Sequence, residues 1–101
     1  MVVKDPVEIS SLLYRKEGYR QGRPCLAGTG MTVHTIADLH LQGLTPEQIL
    51  DQFPHLDLPR IYAALAYFLA NSELVIAEMD ADLEEAARLA REFRSPIPER
   101  K

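Results

Sequence analysis

Little in this 101-residue chain invites covalent or metal chemistry. It has one cysteine, Cys25, which excludes an internal disulfide and makes a reducing cytoplasm the expected compartment. No apolar run approaches the roughly 18–20 residues that cross a bilayer. The opening MVVKDPVEIS lacks the long apolar region and small-residue cleavage site of a signal peptide. His34, His40 and His55 share no metal-ligand spacing with Cys25, and each reads as a surface or half-buried histidine. No GK[ST] follows Gly28 and Gly30, so they do not form a phosphate loop. Asp80, Asp82, Glu84 and Glu85 lack the turn glycine of a calcium loop, and a helical pattern runs through them. No Ser–His–Asp or Cys–His arrangement is legible. The expectation is a protein that is not an enzyme, with no cofactor and no metal.

What is present is ordinary in amount and uneven in placement. Apolar residues make up 47% and charged residues 26%, the composition of a globular domain. The length supports one domain with a small core. Net charge is −4, which argues mildly against nucleic acid. Residues 1–31 carry five basic against three acidic side chains, residues 32–72 one against four, and residues 73–101 five against eight. A phosphate-facing surface therefore belongs at the N-terminal end.

Three zones follow. Residues 1–31 show no helical period; their apolar residues and their glycines fit either a β-hairpin or an irregular extended arm. Residues 32–72 punctuate themselves into three short helices. Thr32 caps the first, which ends near Gln42 with Gly43 as its left-handed C′ residue. Thr45, Pro46 and Gln48 start the second with a capping box, which buries Ile49, Leu50 and Phe53 before Pro54 stops it. Asp57 caps the third, which runs to about Ala70. Residues 73–101 hold a last helix to about residue 93 and a charged tail. The expected fold is all-α: a homeodomain-like three-helix helix-turn-helix unit with an N-terminal extended arm and a C-terminal amphipathic helix.

The third helix, IYAALAYFLA, carries no charge from Ile61 to Ala70. A helix apolar all round is covered on most sides. Either it is a central helix wrapped by the others, or Ile61, Tyr62, Leu65, Phe68 and Leu69 also form a homodimer interface. It is a poor reader of bases, which needs Arg, Asn, Gln or Lys at base edges. Arg60 alone stands at its start. The basic cluster with interleaved aromatics lies earlier, in Arg15, Lys16, Arg20 and Arg23. With Arg60 these are the candidate nucleic-acid contacts, as an arm entering a minor groove; the plainer reading is a solvated loop.

On the last helix Ile76, Met79, Leu83, Ala86, Ala90 and Phe93 repeat at alternating spacings of three and four, a short heptad seam. Glu84–Arg88 and Arg88–Glu92 stand at i,i+4. Ile76, Met79, Leu83, Arg88, Arg91 and Phe93 are the candidate partner-binding set, with an arginine fork suited to a partner's carboxylates.

The blocks GRPCLAGTGMTV, GLTPEQILDQFPHL and YAALAY, over about residues 20–72, resemble the domain-of-unknown-function family 433. That family reads G-K-P-x-I-x-G-T-R-I-x-V, then G-x-S-P-E-E-I-L-x-x-Y-P, then an A-L-A-Y block. Gly30 stands where the family has arginine, and Phe53 where it has tyrosine. Members are similar to homeodomain-like proteins and to VapB-type antitoxins encoded beside PIN-like ribonuclease toxins. The resemblance implies a bacterial or archaeal cytoplasmic protein, dimeric, that neutralises a toxin and represses its own operon through operator DNA. Three readings stand: an antitoxin-like interaction protein using its C-terminal helix, a helix-turn-helix DNA-binding autoregulator, and a dimeric structural module without DNA binding.

Overall fold

The computed structural model describes residues 5–93. The charged tail, with Arg94, Arg100 and Lys101, lies outside them. The chain divides into two compact units at the Asn71–Ser72 junction.

The first unit begins with a 3₁₀ turn, Ile9–Leu12, and then strand β1, Leu13–Tyr14. Strand β2, Cys25–Leu26, pairs with it antiparallel, with Leu13 opposite Leu26 and Tyr14 opposite Cys25. A second 3₁₀ turn, Arg20–Gly22, lies in the connecting loop. After β2 the backbone folds back on itself: the Leu26 amide donates to the Met31 carbonyl at 2.9 Å and the Val33 amide to the Pro24 carbonyl at 2.9 Å. This delivers the chain to helix α1, Val33–Leu41.

Local chemistry sets each helix end. The Thr32 side chain accepts from the Thr35 amide at the start of α1. At its end Gly43 has φ 100°; its amide donates to the His40 carbonyl at 2.9 Å, and the Leu44 amide to the Leu39 carbonyl at 3.1 Å. Those two bonds are the Schellman pattern, which satisfies two carbonyls that the helix leaves open. Helix α2, Pro46–Gln52, starts with both halves of a capping box: Thr45 N–H to Gln48 Oε1 at 2.8 Å and Gln48 N–H to Thr45 Oγ1 at 3.1 Å. Helix α3, Leu58–Ala70, is capped by the Asp57 carboxylate, which accepts the Arg60 amide at 3.1 Å. A cap of this kind contributes about 1 kcal/mol.

Helix α3 is the centre of the unit. Helices α1 and α2 and strand β2 all lie against it. The core holds Leu26, Val33, Ile36, Ile49, Ile61, Ala64, Leu65 and Phe68. Burying one large apolar side chain of this kind stabilises by about 1.5–3 kcal/mol. Of the second helix's expected core residues, Ile49 is fully buried, whereas Leu50 and Phe53 are half-buried.

The all-α expectation is corrected. Among the described residues there are four α-helices and a two-stranded antiparallel sheet, so the architecture is mixed α and β rather than an all-α homeodomain-like unit. Two-residue strands are too short to show an alternating pattern, so the sequence could not distinguish a hairpin from an arm. The loop at 15–24 closes the pair, and β2 lies against α3 with Leu26 fully buried. His34 is a second correction: it is buried, neither at the surface nor half-buried.

The second unit contains helix α4, Ser72–Phe93, of 22 residues. Its charged side chains are Glu73, Glu78, Asp80, Asp82, Glu84, Glu85 and Glu92 against Arg88 and Arg91. Among the described residues no single helix is long and apolar enough to cross a membrane.

Candidate functional site

The basic residues of the first unit divide by what they touch. Arg60 Nε donates to the Ala27 carbonyl at 3.0 Å, and its Nη1 donates to Asp57 Oδ2 at 2.6 Å. It thereby ties the start of α3 to the turn after β2, and its side chain is only about one-third exposed. Arg15 donates from Nη1 to the Gly22 carbonyl at 3.0 Å and from Nη2 to the Tyr67 hydroxyl at 2.8 Å. It links the hairpin loop to the far end of α3. Both tie distant parts of the chain together, Arg60 from a half-buried position and Arg15 from an exposed one.

Lys16 and Arg20 are exposed and flank one ring. The ammonium of Lys16 lies 5.9 Å, and the guanidinium carbon of Arg20 5.4 Å, from the Tyr19 centroid. Such contacts are worth about 0.5–1 kcal/mol at exposed sites. Arg23 is half-buried beside β2. Of the five candidate nucleic-acid residues, Arg15, Lys16 and Arg20 are exposed and Arg23 and Arg60 are half-buried.

The Tyr14 hydroxyl donates to the Thr29 carbonyl at 2.6 Å, pinning the turn after β2 to β1. Partial burial raises its pKa above the usual phenol value. The neighbouring Cys25 thiol and Tyr19 push the same way, and Arg20 pulls against them.

The expected dimer set splits by face. Ile61, Leu65 and Phe68 are buried inside the first unit, with Phe68 edge-on to His40 at 6.0 Å between centroids. A residue already surrounded by its own chain cannot also meet a partner. Tyr62 is 51% exposed and Leu69 65% exposed.

The partner-binding set on α4 presents a stripe. At 3.6 residues per turn, Ile76, Met79, Leu83 and Phe93 fall within one side of the helix. Leu83 is 69% exposed, Phe93 75% exposed, and Ile76 is also exposed. Arg88 is held along the helix by two carboxylates, Glu85 Oε2 at 2.6 Å and Glu92 Oε2 at 2.6 Å. Its partner at the earlier turn is Glu85 rather than Glu84. Arg91 is exposed and makes no ion pair among the described residues.

Residues 15–68 match the family described as Protein of unknown function (DUF433). The chain belongs to the DUF433 family. A crystal structure of a DUF433 member protein from Anabaena variabilis is similar to this chain with a TM-score of 0.64 and 22% identity, covering 71% of each chain. At that identity the likeness concerns the fold alone. No curated protein matches the chain. The matched residues cover the hairpin loop, β2 and nearly all of α1 to α3, and exclude α4.

Sequence reasoning missed a group that only folding assembles. Thr29, Met31, Thr32, Thr35 and His55 come together with Arg20 and Gly30 around one cleft. Gly30 was legible as a departure from the family pattern, but nothing in the linear order connects it to Tyr19. A Cβ on Gly30 would stand 2.6 Å from the Tyr19 hydroxyl and 3.3 Å from Arg20 Nη2. Glycine at this position lets both groups lie against the backbone.

Proposed function

We propose that this DUF433 protein is an antitoxin-like interaction protein, which neutralises a PIN-like ribonuclease by docking its C-terminal helix into an apolar groove. The observation that carries the reading is the exposed stripe of Ile76, Leu83 and Phe93 on a helix otherwise dense in charge. An amphipathic helix laid into a groove uses anchors at this spacing. Arg91 is the arginine placed to reach a carboxylate on the partner, since Arg88 is already bracketed. The protein acts in the cytoplasm as a homodimer, with Tyr62 and Leu69 as the exposed part of α3 available to a second copy.

Two observations favour a protein partner over operator DNA. Arg60 and Arg15 are committed to internal carbonyl, carboxylate and hydroxyl groups. The core face of α3 offers no polar side chain to a base edge.

The test is co-purification of the full chain with a PIN-like ribonuclease encoded beside it. A Leu83→Gln, Phe93→Gln double variant keeps good or tolerable helix formers at exposed positions. Each anchor buried on docking contributes about 1.5 kcal/mol or more. Together they set an expected loss of affinity of roughly 100-fold. A complex that survives the double variant unchanged, or a ribonuclease that never binds, shows the reading to be wrong.

A further inference from the structure

The first unit holds a cleft of about 340 Å³, whose walls include Arg20, Gly30, Met31, Thr32, Thr35 and His55. Its lining carries no carboxylate, although the chain as a whole has net charge −4. The polar groups that face it are a guanidinium, an imidazole and hydroxyls, all able to donate hydrogen bonds.

Arg20 is held at the wall by several constraints. Its guanidinium carbon lies 5.4 Å from the Tyr19 ring centroid, within cation–π range. Among the described residues Arg20 makes no ion pair. Arg20 and Gln21 occupy left-handed backbone, with φ of 51° and 58°, a region side chains enter rarely. Gly30 supplies the space: with a Cβ at 2.6 Å from the Tyr19 hydroxyl and 3.3 Å from Arg20 Nη2, these groups would have to move.

The hydroxyls are also prepared. Thr32 Oγ1 accepts the Thr35 amide and lies 3.3 Å from Thr35 Oγ1. When one hydroxyl of this pair donates to the other, a hydrogen remains on the acceptor to meet a ligand.

We propose that this cleft binds a small phosphoryl anion, either free phosphate or a phosphate monoester. The planar fork of Arg20 matches two phosphate oxygens. His55 and a threonine hydroxyl donate to the remaining oxygens, and Met31 is the apolar wall for a small organic body. The volume sits near the lower end of the roughly 300–1,000 Å³ of small-molecule sites, so the ligand is compact. The site involves no residue of α4, so it stands or falls separately from the docking of that helix.

The experiment titrates the full chain with inorganic phosphate and with adenosine monophosphate at low ionic strength, by calorimetry and amide chemical shifts. Saturable binding is expected, with shifts concentrated at Thr32, Thr35 and Arg20. Arg20→Asn keeps a residue that tolerates left-handed backbone and should weaken binding at least tenfold. Thr35→Val, at an exposed position, should weaken it several-fold. Equal affinity for the two probes identifies free phosphate as the ligand; tighter binding of the nucleotide identifies a monoester. No saturation by either probe overturns the proposal. So does undiminished binding in a folded Arg20→Asn variant, or shifts located away from the cleft.

Discussion

Replacing Ile61 by alanine tests which side of α3 is interior. Ile61 is fully buried, at 0% exposure, on a helix packed by α1, α2 and the sheet. Alanine removes three carbons, each worth about 0.8 kcal/mol of transfer free energy, so the transfer loss is about 2.4 kcal/mol. The cavity left behind adds to this at about 24 cal/mol per Å³ of residual volume, which places the total near 3–4 kcal/mol. For a domain of this size that lowers the melting temperature by roughly 12–30 °C, at about 4–8 °C per kcal/mol. Leu69, 65% exposed, has about a third of its side chain covered. By the same accounting Leu69→Ala costs about 0.8 kcal/mol at most. Urea unfolding followed by far-UV circular dichroism, at two protein concentrations, reads both variants. A Leu69→Ala loss as large as that of Ile61→Ala, and the same at both protein concentrations, would refute the assignment of faces. If that loss instead depended on protein concentration, the outer face of α3 would be covered by a second copy whose contribution exceeds that of the core.

Two further outcomes follow from the first unit. Gly43→Ala meets no steric obstacle, since nothing lies within 4 Å of the added carbon. Its whole effect is conformational: at φ 100° it should destabilise by about 1–2 kcal/mol, measured as a lower urea midpoint with unchanged slope. The raised pKa of Tyr14 means that the folded chain holds the phenolic proton more tightly than the unfolded chain does. The stability it contributes is complete below the unfolded value of about 10 and disappears as pH rises through the folded value. Tyr14→Phe should therefore lose less stability than the parent between neutral pH and strongly alkaline pH; parallel curves would remove the phenol from the explanation.

The helix boundaries were legible because their chemistry is contained in a few consecutive residues. Thr45 and Gln48 are three apart, and the box they form needs nothing from the rest of the chain. The same holds for Thr32 with Thr35, for Asp57 with Arg60, and for the left-handed Gly43. The heptad seam of α4 was legible for the same reason, since a period along one helix is a local property. The sheet was not: Leu13–Tyr14 and Cys25–Leu26 are short, and their pairing spans the whole hairpin loop.

Arg60 shows where linear reading stops. In the sequence it is the lone cation before an uncharged helix, and so a candidate for DNA. In the fold it bonds the Ala27 carbonyl, 33 residues earlier, and becomes a brace. Arg15 changes meaning in the same way through Tyr67, 52 residues later. A free cation and a satisfied one look alike in one dimension, because the difference lies in an acceptor supplied from elsewhere in the chain.

By itself, then, the sequence determined where helices start and stop, the charge imbalance between segments, the apolar seam of α4 and the family to which the chain belongs. Each of these depends on residues near one another in the chain. Tertiary structure alone decided that Leu69 faces outward while Phe68 faces inward, that two of the basic residues are internal ties, and that Arg20, Gly30, Thr35 and His55 share a cleft. Those properties depend on which surfaces exclude water and which donors find acceptors, and both are settled only when distant segments meet.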